Sequence, residues 1–199
     1  MSDEDLASVI SYIRSLPSVQ HPLSKTEIPF PVSRLINSVP EPIDGGVREP
    51  DLSTPEKRGA YLTTLGSCRD CHTPRDDKGQ YLPGMELAGG NILQFKDARP
   101  ARAASNLTPS PNGIPYYNED LFVETIRTGR VRDRQLSDVM PWGHYRGMTD
   151  EDLKAIFAFL KTVTPVDHYV DNALPPTLCA RCNIRHGGGE RNSERRTQN

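Results

Sequence analysis

Apolar residues recur at helical spacing in two stretches of this chain, and the two stretches are copies of one another. Residues 1 to 21 (MSDEDLASVISYIRSLPSVQH) align without a gap on residues 148 to 168 (MTDEDLKAIFAFLKTVTPVDH), an internal repeat. In the first copy Leu6, Val9, Ile10, Ile13 and Leu16 fall on one helical face, and in the second Leu153, Ile156, Phe157, Leu160 and Val163 do. Each copy opens with a hydroxyl residue suited to an N-cap, Ser2 or Thr149, followed by acids that favour the positive end of the helix dipole. Two amphipathic helices are therefore predicted, each needing a surface to pack against.

The same signals place two further helices between them. Thr54-Pro55-Glu56 opens one that runs to about Leu65 and is closed by Gly66, and Asn118 to Thr128 forms another, stopped by Gly129. The stretch from Thr73 to Tyr117 is rich in Gly and Pro and reads mostly as loop. The pattern divides the chain into a lone helix at 1–21, a Pro-rich linker at 22–50, a small all-α domain with long loops at 51–172, and a tail at 173–199 that is Gly-rich, then charged, and expected to be disordered. About a hundred residues precede the second copy of the repeat and can form its domain. The first copy is expected to be the orphaned C-terminal helix of a preceding domain of the same kind, so the chain is expected to be a truncated form of a longer protein.

Composition changes this picture in one respect. Hydrophobic residues make up 35% of the 199 and aromatics 7%, with 18 prolines and 15 glycines, a thin apolar supply for a loop-heavy domain. A bound apolar cofactor would complete such a core. The formal net charge of -2 excludes the clustered cationic excess of a nucleic-acid binder, and Arg191, Arg195 and Arg196 read as a solvated tail. No apolar run reaches the eighteen or so residues needed to span a bilayer, so any membrane association is expected only through a partner.

The four cysteines fall in two close pairs, unlike a scattered disulfide framework. Cys68-Arg69-Asp70-Cys71-His72 is a C-x-x-C-H, the attachment signature of c-type haem. Two thiols three positions apart on a helical turn can form thioethers to the two vinyl groups, and the adjacent His72 then lies beneath the iron. A thioredoxin-like redox pair would want a βαβ context, and a zinc site two more ligands at a fitting distance. In the second pair, Cys179-Ala180-Arg181-Cys182-Asn183, Asn183 stands where haem attachment needs histidine. A disulfide-like loop is favoured there, and a metal site with His186, and His168 as a further candidate, is the alternative. Candidates for the sixth iron ligand are Met85, Met140, Met148 and His144.

The order of these features resembles the class I cytochrome c domain. More narrowly, RGAYLTTLGSCRDCHTPRD, GMELAGG, SNLTP, IRTGR and MPWGHYRGMTDEDLKAIFAFL resemble the cytochrome c subunits of bacterial membrane-bound alcohol and gluconate dehydrogenases and related multi-haem cytochromes, over about residues 55–166. The resemblance implies one covalent haem c on Cys68 and Cys71, with His72 and Met140 as axial ligands, Met140 standing in the MP pair before the last helix. It implies electron transfer, not substrate turnover, with redox partners such as a dehydrogenase and a quinone- or oxidase-linked acceptor. It also gives Asn106 a position near the haem edge and likens Trp142 and Tyr145 to pocket aromatics, although a turn residue and ordinary core aromatics explain these equally well. Arg127 and Arg130 are candidates for the propionates, against the commoner reading of surface arginines at a helix end. A haem peroxidase or haem sensor is the alternative function. Bacterial thioether attachment takes place outside the cytoplasm, so a periplasmic or otherwise extracytoplasmic protein is expected, although no basic-apolar signal stands before Met1.

Overall fold

The computed structural model describes residues 1–36, 45–94 and 101–194. The chain divides into two units, Met1–Pro50 and Asp51–Asn199. The first holds α1 (Asp3–Ser15) and a short α2 (Val32–Leu35). Ser2 caps α1 by accepting from the Asp5 amide at 3.1 Å. Its apolar face is exposed: Leu6, Val9, Ile10, Ile13 and Leu16 are each 41–60% accessible. Part of the expected linker, residues 37–44, lies outside the described residues.

The second unit is built on α3 (Pro55–Leu65), α4 (Cys68–His72), α5 (Glu119–Thr128), α6 (Trp142–Tyr145) and α7 (Asp150–Leu160). Each of the longer helices starts where the sequence places it, on a side-chain cap: Thr54 accepts from the Lys57 amide, Asn118 from the Leu121 amide and Thr149 from the Asp152 amide. α5 stops at left-handed Gly129. The last helix is one turn shorter than expected. Both the amide and the hydroxyl of Thr162 return to the Phe159 carbonyl, which tightens and ends it before Val163.

Gly59 decides how α3 and α7 meet. A Cβ there would overlap the backbone carbonyl of Ala155 and crowd Phe159 Cβ, so the two helices cross backbone against side-chain-free backbone. Arg58 then ties the N-terminal turn of α7 to α3 through Glu151 at 2.9 Å and Asp152 at 2.6 Å. The core comprises Leu87, Ile114, Phe122, Ile126, Leu153, Ile156, Phe157 and Leu160. Phe122 and Phe157 join α5 to α7, with ring centroids 5.4 Å apart.

Short strands not foreseen in an all-α reading form three two-stranded antiparallel ladders: β1 (Ile92–Leu93) with β2 (Arg102–Ala103), β3 (Arg130–Val131) with β4 (Arg134–Gln135), and β5 (Pro176–Leu178) with β6 (Arg185–Gly187). The last of these corrects the tail. Residues 173–194 were expected to be disordered, but they form the β5–β6 hairpin followed by α8 (Arg191–Glu194). Cys179 and Cys182 are buried in a second cluster with Met85, Ala88 and Val166. Arg191 is exposed, as expected, and stacks 4.7 Å over the Tyr169 ring, while Arg195 and Arg196 lie outside the described residues. The glycines that suggested disorder serve tight packing instead: a side chain at Gly187 or Gly189 would strike the backbone of Asp171 or Thr177. No helix among the described residues is long and apolar enough to cross a membrane.

Candidate functional site

A cavity of about 570 Å³ opens between α3, α5, α7 and the loops that join them, within the range of cofactor pockets. Leu62, Leu107, Ile114, Phe122, Ile126, Leu153, Ile156 and Leu160 supply an apolar wall. Cys68, Cys71, His72 and Met140 all line this one space, so the four residues singled out in sequence are brought together.

α4 presents the motif. Gly66 and left-handed Ser67 (φ 53) turn the chain sharply out of α3, and Tyr145 fixes that turn by donating its hydroxyl to the Gly66 carbonyl at 2.8 Å. The two intervening residues face outward, Arg69 pairing with Glu86 at 3.0 Å and Asp70 with Arg75 at 2.8 Å. The cysteines face inward, and burial pushes Cys68 up to about 11 and raises Cys71 as well. This is the opposite of the depressed thiol that drives a redox-active C-x-x-C.

His72 is buried, and its Nδ1 lies 2.8 Å from the Ser105 carbonyl. A carbonyl only accepts, so Nδ1 carries the proton and Nε2 keeps its lone pair. Burial also lowers the His72 pKa, partly opposed by that hydrogen bond, which favours the neutral ring. A neutral imidazole with Nδ1 anchored to a backbone carbonyl is the usual form of a metal-ligating histidine. Two inward thiols, this imidazole, a thioether and an apolar cavity form a donor set and shape that fit a covalently attached haem.

The structure narrows the sixth-ligand candidates. Met85 is packed in the second cluster, away from the cavity lining, and His144 is exposed. Met148 lines the cavity as Met140 does. Arg127 is committed to Asp150 at 2.6 Å and to the Arg146 carbonyl, and Arg130 to Gln135 and the Asp133 carbonyl. Among the described residues, the arginines that reach the cavity are Arg102 and Arg134, both missed in sequence because strand pairing brings them there. Asn106 lines the cavity, but its side chain is a strut: Nδ2 donates to the Val166 and His168 carbonyls, and Oδ1 accepts from Thr108. Trp142 packs over Gly129, and Tyr145 lines the cavity.

No protein-family model matches the chain. Curated relatives do. The chain is 35% identical over 133 residues to the fructose dehydrogenase cytochrome subunit of Gluconobacter japonicus, covering 64% of this chain and 24% of that protein. It is 36% identical over 113 residues to the cytochrome c subunit of the quinone alcohol dehydrogenase of Gluconacetobacter polyoxogenes, covering 55% and 22%. A diheme cytochrome c-type protein of Cereibacter sphaeroides is 29% identical over 169 residues, covering 82% and 55%. The match to the two dehydrogenase subunits thus spans about a quarter of their length. Their names agree with the resemblance carried by the C-x-x-C-H helix and with the donor set that the cavity gathers, and the chain is related to the cytochrome c subunits of bacterial dehydrogenases.

Proposed function

We propose that this chain is a class I cytochrome c-like electron carrier. It holds one haem c through thioethers to Cys68 and Cys71, with His72 and Met140 as axial ligands, and works outside the cytoplasm beside a dehydrogenase, passing electrons on to a quinone- or oxidase-linked acceptor. The observation that carries this reading is the convergence of both thiols, the Nδ1-anchored His72 and Met140 on one apolar cavity. A haem bound there supplies one-electron ferric/ferrous chemistry, its potential raised by thioether ligation. The residues do the rest. The Ser105 carbonyl holds the His72 ring in one tautomer and orientation, the aliphatic wall excludes water, and Arg102 and Arg134 offer cationic partners for carboxylates at the cavity edge. The relatives' roles as dehydrogenase cytochrome subunits support an electron carrier over a peroxidase-like enzyme.

The test is spectroscopic. In protein matured in cells with an export-side haem attachment system, haem should survive acid-acetone extraction, and replacing both Cys68 and Cys71 by Ser should release it. Met140→Ala should abolish the weak near-infrared band of ferric Met-ligated haem and lower the potential, while Met148→Ala leaves both in place. Loss of the band on Met148→Ala alone would transfer the ligand role to Met148. A high-spin, ligand-binding haem in the unmodified protein would overturn the electron-carrier reading.

A further inference from the structure

The C-terminal hairpin carries a second constellation that electron transfer does not use. His168, Cys179, Cys182 and His186 are all buried, and their ligand atoms all lie within 4.8 Å of one another. We propose that these four side chains form a closed Cys2His2 zinc site that fastens the β5–β6 hairpin to the segment following α7.

The proton positions make the case. His168 Nδ1 lies 2.8 Å from the Ala88 carbonyl and His186 Nδ1 lies 3.1 Å from the Gly187 carbonyl. Carbonyls only accept, so each Nδ1 is the protonated nitrogen and each neutral ring keeps its lone pair on Nε2. Those two Nε2 atoms face each other at 3.1 Å. Two lone pairs at that separation in a buried place repel unless a metal ion or a shared proton lies between them. Cys179 Sγ is 3.3 Å from His168 Nε2, and it accepts from the Arg181 amide at 3.4 Å and Asn192 Nδ2 at 3.3 Å, donors that suit a thiolate. Tetrahedral zinc with Zn–N of about 2.0–2.1 Å and Zn–S of about 2.3 Å requires N···N of roughly 3.3 Å and N···S of roughly 3.6 Å. For these two pairs the observed separations are 3.1 and 3.3 Å, slightly tighter than the metal needs, and all four ligand atoms lie within 4.8 Å of one another.

The scaffold is shaped for these rings. Gly90, at φ 93, lies so close that a Cβ would come within 2.6 Å of His168 Cε1 and 3.4 Å of His186 Nε2. Asn183, at φ 56, turns the chain back after Cys182, its amide returning to the Cys179 carbonyl at 2.9 Å. Each histidine also has its Nδ1 held by a backbone carbonyl, Ala88 or Gly187, as expected of zinc ligands. Four protein donors with no open position make the site structural, and the mixed nitrogen and thiolate set suits zinc over harder cations. The site reaches the haem side through backbone alone: Ala88 accepts from His168, and the next amide, Gly89, donates to the His72 carbonyl at 2.7 Å.

The measurement is metal content and zinc-edge X-ray absorption on the full, haem-loaded protein. One zinc per iron is expected, with two sulfur neighbours at about 2.3 Å and two nitrogen neighbours at about 2.0–2.1 Å. Cys182→Ser and His186→Ala should each cut zinc per iron at least tenfold after dialysis while the haem bands persist. Where a variant does not accumulate, the absorption edge of the unmodified protein decides the matter. The proposal is overturned by an intact mass two hydrogens lighter, marking a Cys179–Cys182 disulfide, by a metal-free protein with two reduced thiols, by a metal other than zinc, or by zinc in another ligand shell. Iron and haem are read in the same sample, so failure here is distinct from failure of the electron-transfer reading.

Discussion

α1 and α7 have nearly one sequence and opposite surroundings. Leu153, Ile156, Phe157 and Leu160 are 1–8% accessible, while their counterparts Leu6, Val9, Ile10 and Ile13 are 41–60% accessible. Both helices form, with the same hydroxyl cap accepting from the third residue's amide at 3.1 Å. Capping and propensity therefore suffice to shape such a helix, but they do not decide what its apolar stripe is worth. α7 gains from burial because α3 offers Gly59 at the crossing and α5 offers Phe122 and Ile126. At roughly 1.5–3 kcal/mol per fully buried large aliphatic, that difference in surroundings outweighs every local difference between the two copies.

Matched substitutions sharpen the contrast. Leu160→Ala should destabilise the second unit by about 2–5 kcal/mol in denaturant unfolding followed at the haem band, because a fully buried side chain leaves a cavity. The equivalent Ile13→Ala should change stability by no more than about 0.5 kcal/mol. Equal losses at the two positions would mean that α1 is buried in solution. Gly59→Ala comes next, costing about 1–3 kcal/mol, since α3 and α7 must separate to admit the methyl group, although alanine is the better helix former by about 1 kcal/mol. A stabilised Gly59→Ala protein would show that the crossing is looser than its backbone contact implies. Thr149→Ala should follow, at about 1 kcal/mol from a lost cap. Ser2→Ala should change far-ultraviolet helicity only and leave the haem-monitored transition in place.

The haem motif and the metal cluster differ in the same way. Cys68, Cys71 and His72 share one helical turn, so their chemistry was legible as a string of letters. The sixth ligand was less so: sequence offered four candidates, and packing leaves Met140 and Met148 on the lining. In the tail, Cys179 and Cys182 are near in sequence and read as a disulfide-like loop, with a metal site that takes in His186, and His168 as a further candidate, as the alternative. The structure keeps the cysteines as separate thiols and brings His168 against them. Glycine content reads as disorder there, because composition cannot distinguish a glycine that loosens a chain from one that lets two backbones touch.

The sequence by itself determined what depends on near neighbours: the caps at Ser2 and Thr149, the helix starts at Thr54 and Asn118, the stop at Gly129, the amphipathic repeat and the C-x-x-C-H turn. These follow from hydrogen bonds and dihedral preferences within about four residues, which the order of side chains specifies directly. Only the tertiary structure decided which copy of the repeat is buried, which arginines and methionines reach the cavity, and that a histidine eleven positions before Cys179 closes a four-ligand cluster. Those outcomes depend on which distant backbones can approach, at Gly59 and Gly90 above all, and contact across the fold is a property of the packed chain that no local window contains.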